Sequence, residues 1–123
     1  MVPSNSKILV IDDSEDMRSL VKCLLEPEGY EIKEASNGQA ALDLLSSEAP
    51  PGLILLDHMM PIMDGPDFLK KIELEFSEIF AKVPVILFTG TAAEDTPVIK
   101  AVEIVSKPVK VETLLYLVKK YLN

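Results

Sequence analysis

Short apolar runs recur along the chain, and segments with helical periodicity separate them. The runs predict strands over residues 7–11, 53–56, 83–88 and 102–105, and alternation over residues 30–35 predicts a fifth, half-buried edge strand. Apolar positions spaced by three and four residues predict helices over 14–26, 37–47, about 65–80 and 111–122. Because Pro97 interrupts the segment between the last two strands, only a short or broken helix is predicted there. Alternating strands and helices indicate an α/β fold in which helices cover both faces of a parallel sheet.

Capping residues mark the helix ends. Ser14 and Asn37 each precede a helical segment and can accept a hydrogen bond from a backbone amide of its first turn. Pro27 and Gly29 are expected to end the first helix. Asp64 or Gly65 opens the third helix, because both lie at the end of a proline-containing loop.

Length and composition indicate one domain over residues 1–123. Twenty acidic residues against 12 basic ones give a formal charge of −8, which argues against direct nucleic-acid binding. The apolar runs are too short for membrane insertion, and the N-terminal segment lacks the apolar centre of a signal peptide. A single cysteine, Cys23, allows no disulfide framework, which fits a cytoplasmic protein. Cys23 lies in the amphipathic first helix and is expected to have a packing role. The start at Met1 and the closing helix favour a stand-alone chain.

Polar residues follow four of the predicted strands at the point where each strand ends. They are Asp12 and Asp13 after the first strand, Asp57 after the third, Thr89 after the fourth and Lys107 after the fifth. In an open parallel sheet, ligands bind in the crevice at the carboxyl ends of the strands. We therefore expect three carboxylates, a hydroxyl and an ammonium group to converge at one edge of the sheet.

The three carboxylates predict a site for a divalent cation. Two carboxylates at ~5 Å and an effective dielectric constant of ~20 repel by roughly 3 kcal/mol, so a compensating cation is expected. A small number of oxygen ligands, completed by water, suits Mg²⁺. The predicted ligands are Asp12, Asp13, Asp57 and the backbone carbonyl of Met59 in the loop that follows.

Asp57 stands alone at its strand end and is the candidate phosphoacceptor. A carboxylate can attack phosphorus and form an acyl phosphate. Phosphoryl transfer depends mainly on positioning and charge neutralisation, which Lys107 and Thr89 could provide by each binding a phosphoryl oxygen. The amide of Gly90 could assist, since glycine lets a backbone approach closely.

Four motifs in a fixed order resemble the receiver domain of bacterial two-component response regulators. They are the IDD doublet, DHMMPIMDG, FTGT and SKP, and the resemblance runs from Lys7 to Leu122. It implies a doubly wound, flavodoxin-like sheet of five parallel strands in the order 2-1-3-4-5. It also implies a signalling domain and not an enzyme. Such a domain takes phosphate from the phosphohistidine of a sensor histidine kinase or phosphotransfer protein and signals to an effector protein.

The resemblance also implies a role for each matching residue. Asp57 looks like the phosphoacceptor, and Asp12 and Asp13 look like the acidic pair that holds Mg²⁺. Thr89 is similar to the hydroxyl that moves toward the phosphoryl group, and Lys107 to the lysine that binds it. The residue after that lysine is a proline whose preceding peptide bond is expected to be cis.

Two features depart from the family pattern. Lys107 follows Thr89 by 18 positions. That spacing is roughly four residues, about one helical turn, shorter than is usual, and the loss falls in the helix before the fifth strand. Ile104 stands where receivers commonly carry an aromatic residue or a histidine. We therefore expect the phosphorylation chemistry to be retained and the output surface to be unusual. Met59 and Thr91 flank the site at positions that tune acyl-phosphate lifetime in the family.

Two other functions are compatible with parts of this sequence, and His58 lies next to the candidate phosphoacceptor. A pseudo-receiver would keep the fold and bind a partner without phosphorylation. A phosphohydrolase similar to the haloacid dehalogenases would need a second aspartate two residues after Asp57, and Met59 occupies that position. The single histidine, His58, is expected to point away from Asp57 and to have a loop-packing or surface role.

Overall fold

The computed structural model describes residues 6–60, 63–90 and 103–122. Its strands are β1 (Lys7–Ile11), β2 (Glu31–Ala35), β3 (Leu53–Asp57), β4 (Val85–Thr89) and β5 (Glu103–Ser106). Its α-helices are α1 (Glu15–Leu25), α2 (Gly38–Ser47), α3 (Gly65–Glu75), α4 (Ser77–Lys82) and α5 (Val111–Leu122). Each strand lies within two residues of its predicted bounds. The predicted short helix between the last two strands lies outside the described residues.

All strand pairs are parallel, and the sheet order is β2-β1-β3-β4-β5, as predicted. The two central strands β3 and β4 are buried at every position, which explains their unbroken apolar sequences. The edge strand β2 alternates between exposed and buried positions. Among the described helices, none is long and apolar enough to cross a membrane.

Two apolar cores cover the two faces of the sheet, because successive side chains of each strand point to opposite faces. Residues such as Leu55 and Phe88 pack with α1 and α5 in one core. Residues such as Leu56 and Leu87 pack with α2 and α3 in the other. The predicted helical layers on both faces are confirmed.

Side-chain caps fix the starts of three helices. The Ser14 hydroxyl accepts from the amide of Met17, and the Asn37 side chain accepts from the amide of Ala40. Asp64 caps α3 in the same way. Helix α1 ends in a short 3-10 turn, Glu26–Glu28, followed by Gly29 at φ 99°. That left-handed conformation favours glycine, so the predicted stop signal is confirmed.

The single helix predicted from about 65 to 80 is wrong, because the structure breaks it into α3 and α4. Phe76 has φ −137° and ψ 57°, which no α-helix accommodates. The backbone turn lets Phe76, Ile79 and Phe80 pack against the core beside α3. The apolar period continues through the break, so the sequence pattern contains no sign of it.

The packing role expected for Cys23 is also wrong, since this cysteine is exposed. The buried stripe of α1 centres on Val21 and Leu25. Cys23 lies two positions from Val21, which is about 200° around the helix. Leu20 also lies off that centre and is 49% exposed.

Candidate functional site

The carboxyl ends of the central strands bring the predicted polar residues to one edge of the sheet. Asp57 ends β3 and pairs with Phe88 of β4, whose last residue is Thr89. In β1, Ile11 pairs with Leu56, so Asp12 follows at the level of Asp57. The register of the sheet therefore aligns these strand ends, as the sequence predicted, although the Thr89 hydroxyl is bonded on the opposite face of the sheet.

Asp57 is held in an ion pair with Lys107. The Lys107 ammonium donates to Oδ1 of Asp57 over 2.7 Å. The Asp57 side chain is 4% exposed and that of Lys107 is 34% exposed. The Lys107 amide also donates to the Thr89 carbonyl over 2.8 Å, which fixes the start of the loop beside β4. The peptide bond between Lys107 and Pro108 is cis, as predicted.

Asp12 is a buried carboxylate in an acidic neighbourhood. Its pKa is raised above the usual 3.8, mainly because burial removes water from the charged form. An amide hydrogen bond from Ser14, 2.9 Å long, acts in the opposite direction. The negative charges of Asp57 and Asp13 raise the pKa further, and Lys107 lowers it. One cation therefore offsets only part of the repulsion among three carboxylates.

An apolar cleft between α1 and α5 lies beside this acidic group. Asp12 and Asp57 border the cleft, and apart from Lys110 the rest of its lining is apolar, including Met17, Val21 and Leu114. Apolar surroundings strengthen electrostatic interactions at the site, because fewer water molecules screen the charges.

The carboxylates of Asp12, Asp13 and Asp57 fit a divalent cation. One oxygen from each lies within 4.8 Å of the others. Asp13 is exposed, and the other two are buried, so the group opens to solvent on one side. Three oxygen donors with an open side match the preference of Mg²⁺ for a few carboxylates plus water. The Met59 side chain is 65% exposed, and a ligand role for its carbonyl remains a prediction.

The role expected for His58 is corrected in part. The side chain lies away from the acidic group, as predicted. It is not at the surface, however, because it is buried and makes a hydrogen bond. Its Nδ1 lies 3.0 Å from Oγ1 of the fully buried Thr89. Sequence reasoning missed this contact, because it joins residues 31 positions apart through the register of β3 and β4. The available signal was that His58 and Thr89 both follow an inward-facing leucine by two positions.

Two glycines near the site have different environments. A Cβ at Gly65 would lie 3.0 Å from the Asp57 carbonyl oxygen and 3.2 Å from His58 Cα, so the start of α3 needs glycine for close approach. Gly90 is exposed, and an added Cβ would meet no heavy atom within 4 Å in the described part of the chain. Steric crowding therefore gives no reason for glycine at position 90, and its proposed contribution rests on its amide.

Comparison with known families and proteins matches nearly the whole chain to one family. The response regulator receiver domain matches residues 8–119. Sporulation initiation phosphotransferase F of Bacillus subtilis is 34% identical in an alignment 122 positions long, which covers 96% of this chain and 94% of that protein. The transcriptional regulatory protein CpxR of Escherichia coli is 40% identical over 89 residues. That alignment covers 72% of this chain and 35% of CpxR, so the chain spans about a third of that regulator.

Solved structures agree with this match. The chemotaxis protein CheY4 of Vibrio cholerae superposes with a TM-score of 0.85 at 29% identity, covering 97% of this chain and 100% of the other. The response regulator TrrA of Thermotoga maritima, solved in complex with Mg²⁺-BeF, gives a TM-score of 0.80 at 33% identity. That superposition covers 95% of this chain and 99% of TrrA.

Proposed function

This chain belongs to the response regulator receiver domain family, and on that premise we propose that Asp57 accepts a phosphoryl group from a phosphohistidine. The donor is a sensor histidine kinase or a phosphotransfer protein. The phosphorylated and resting forms then differ in their affinity for an effector protein. The formal charge of −8 makes a protein a better effector than a nucleic acid.

The observation that carries this proposal is the environment of Asp57. Its carboxylate is buried, paired with Lys107 over 2.7 Å, and grouped with the carboxylates of Asp12 and Asp13 within 4.8 Å. The ion pair with Lys107 fixes the orientation of the Asp57 carboxylate, which can then act as an oxygen nucleophile. Added positive charge reduces the repulsion among these carboxylates, and the same charge would neutralise the oxygens of an incoming phosphoryl group.

The transfer step exchanges one bond to phosphorus for another. A carboxylate oxygen of Asp57 attacks phosphorus, a P–O bond forms, and the P–N bond to the donor imidazole breaks. The electron pair of the broken bond goes to the imidazole nitrogen, which takes up a proton from solvent. Asp12, Asp13 and Asp57, with the Met59 carbonyl, would hold Mg²⁺. When bound, Mg²⁺ neutralises charge on the phosphoryl oxygens.

Lys107 and Thr89 act on the product. The Lys107 ammonium moves from its bond with Oδ1 of Asp57 to a phosphoryl oxygen, so its charge stays compensated. The Thr89 hydroxyl donates to a second oxygen, and the Gly90 amide assists. These contacts exist only in the phosphorylated form, so they shift the population toward a second conformation of the β4 end.

Intact-mass spectrometry after incubation with acetyl phosphate and Mg²⁺ tests the proposal. We expect one adduct of about 80 Da, the mass of a phosphoryl group. The adduct should be absent in Asp57→Asn and in the presence of EDTA. Asp16→Asn, a change at an exposed carboxylate of α1, is the matched control and should be phosphorylated like the original protein.

The absence of an adduct on a folded protein would contradict the proposal. It would instead indicate a binding module of the same fold that works without phosphorylation. An adduct that persists in Asp57→Asn would show that another residue is the acceptor.

A further inference from the structure

The buried contact between His58 and Thr89 is not needed to hold a cation or to accept phosphate. Nδ1 of His58 lies 3.0 Å from Oγ1 of Thr89, and the two side chains are 8% and 0% exposed. Both groups are polar and lie at the carboxyl edge of otherwise apolar strands. A buried hydrogen bond of this kind constrains the direction of the threonine hydroxyl.

Strand parity places this pair on the face of the sheet opposite to the acidic group. Asp57 follows Leu55 by two positions and borders the cleft between α1 and α5. His58 and Thr89 instead share the parity of Leu56 and Leu87, which pack under α2 and α3. Thr89 is therefore bonded on the side away from the phosphorylation site.

Two backbone hydrogen bonds fix the main chain at His58. The His58 amide donates to the Phe88 carbonyl over 2.9 Å, and the His58 carbonyl accepts from the Gly65 amide over 2.9 Å. Position 58 is thus tied both to β4 and to the start of α3. The Thr89 hydroxyl can change its hydrogen-bond partner by rotation of the threonine side chain, while the main chain of His58 stays in place.

We propose that His58 is a positioning residue that holds the Thr89 hydroxyl in the resting state and so sets the threshold for switching. This inference rests on the proposed function, because it requires Thr89 to leave His58 and to donate to a phosphoryl oxygen on Asp57. The bond to His58 stabilises only the resting arrangement. Its strength therefore opposes the change that phosphorylation brings about.

Removing the imidazole should favour the switched form. A neutral hydrogen bond contributes modestly to stability, so its loss from the resting state alone should tighten binding of a phosphoryl analogue about fivefold. The probe is beryllofluoride in the presence of Mg²⁺, titrated into the full chain at one fixed pH. Its dissociation constant measures the balance between the two states.

Three variants separate positioning from a general structural effect. His58→Leu removes the hydrogen bond and should bind beryllofluoride more tightly. His58→Asn places an amide group near the former Nδ1 position and should restore the original affinity. In a Thr89→Val background, whose own affinity is lower, His58→Leu should have no further effect, because the hydroxyl on which His58 acts is gone.

Each outcome of the titration bears on the inference. Equal affinity of the original protein and His58→Leu, or weaker binding by His58→Leu, would overturn it and leave the proposed function intact. No binding by either protein would overturn the proposed function and the inference together.

A second measurement requires no substitution at position 58. The ¹⁵N shifts of the His58 ring nitrogens in the original protein should change when beryllofluoride binds, since the bond to Thr89 is lost. Unchanged ring shifts in a protein that binds the analogue would also overturn the inference, even if a variant failed to fold.

Discussion

Carboxylates occur in two contrasting regions of this molecule, the carboxyl edge of the sheet and the outer face of β5 and α5. At the sheet edge, burial and neighbouring charges raise the pKa of Asp12. At β5, Glu103 accepts from the Tyr121 hydroxyl over 2.8 Å and from the Lys120 ammonium over 3.2 Å. These two hydrogen bonds lower the pKa of Glu103.

The difference separates a functional acidic group from a structural one. Glu103 finds its compensation within the fold, so its charge stabilises the contact between β5 and α5. Among the residues that the structure describes, Asp12 and its neighbours have only Lys107 as a compensating cation, and part of their repulsion remains in the resting protein. Under the proposed function, a cation bound from solution relieves that repulsion.

The largest expected effect comes from removing Lys107, the cation that pairs with Asp57. Lys107→Met should lower the rate of phosphorylation by acetyl phosphate by about 100-fold, because a preorganised donor to the developing charge is lost. Lys110→Met, at an exposed lysine of the same loop, is the matched control and should react normally. Time-resolved intact-mass spectrometry measures both. Equal rates in the two variants would contradict the role given to Lys107.

A smaller effect is expected from relieving the repulsion at Asp12. In EDTA, Asp12→Asn should raise the free energy of unfolding by on the order of 1 kcal/mol, since a buried charge beside two others is removed. The asparagine Oδ1 can still accept the Ser14 amide that Asp12 accepts. Urea denaturation measures the change.

Magnesium should make the original protein more stable than Asp12→Asn, which reverses the order expected in EDTA. At tenfold its dissociation constant, Mg²⁺ should stabilise the original protein by about 1.4 kcal/mol, because only the folded chain assembles the ligands. Asp12→Asn should gain much less, and Asp16→Asn should gain the full amount. An equal gain in all three proteins would remove Asp12 from the ligand set.

The smallest effect concerns Glu103, which is partly exposed. Glu103→Gln should lower stability at pH 7 by less than about 1 kcal/mol. The folded pKa lies below the usual 4.5, so this contribution is complete above 4.5 and is lost as pH falls through the folded value. Urea denaturation at several pH values should show the two proteins converging in acid. Glu73→Gln, an exposed change on α3, should show no such convergence.

The sequence could predict those parts of the molecule that local patterns determine. Unbroken apolar runs identified β3 and β4, and the polar residue after each run identified Asp57 and Thr89. Ser14 and Asn37 marked helix starts, because capping depends on a side chain and an amide only a few residues apart. The alternation of strands and helices was enough for the parallel, doubly covered sheet.

Features that depend on contacts between distant segments could not be predicted in the same way. The break at Phe76 is set by packing against the core and leaves the helical period intact. The partner of His58 depends on the exact register of β3 against β4. The exposure of Cys23 is different in kind, because its position about 200° around α1 from Val21 follows from the helical spacing, and the expected packing role rested on residue type alone.

At the end of β3, substitutions at three consecutive residues affect three different properties of the protein. Leu56 is fully buried in the core, so a change there acts on folding. Under the proposed function, a change at Asp57 acts on phosphorylation, and a change at His58 acts on how readily phosphorylation switches the protein. The sensitivity of the signal can therefore be retuned by a single substitution that spares both the fold and the chemistry.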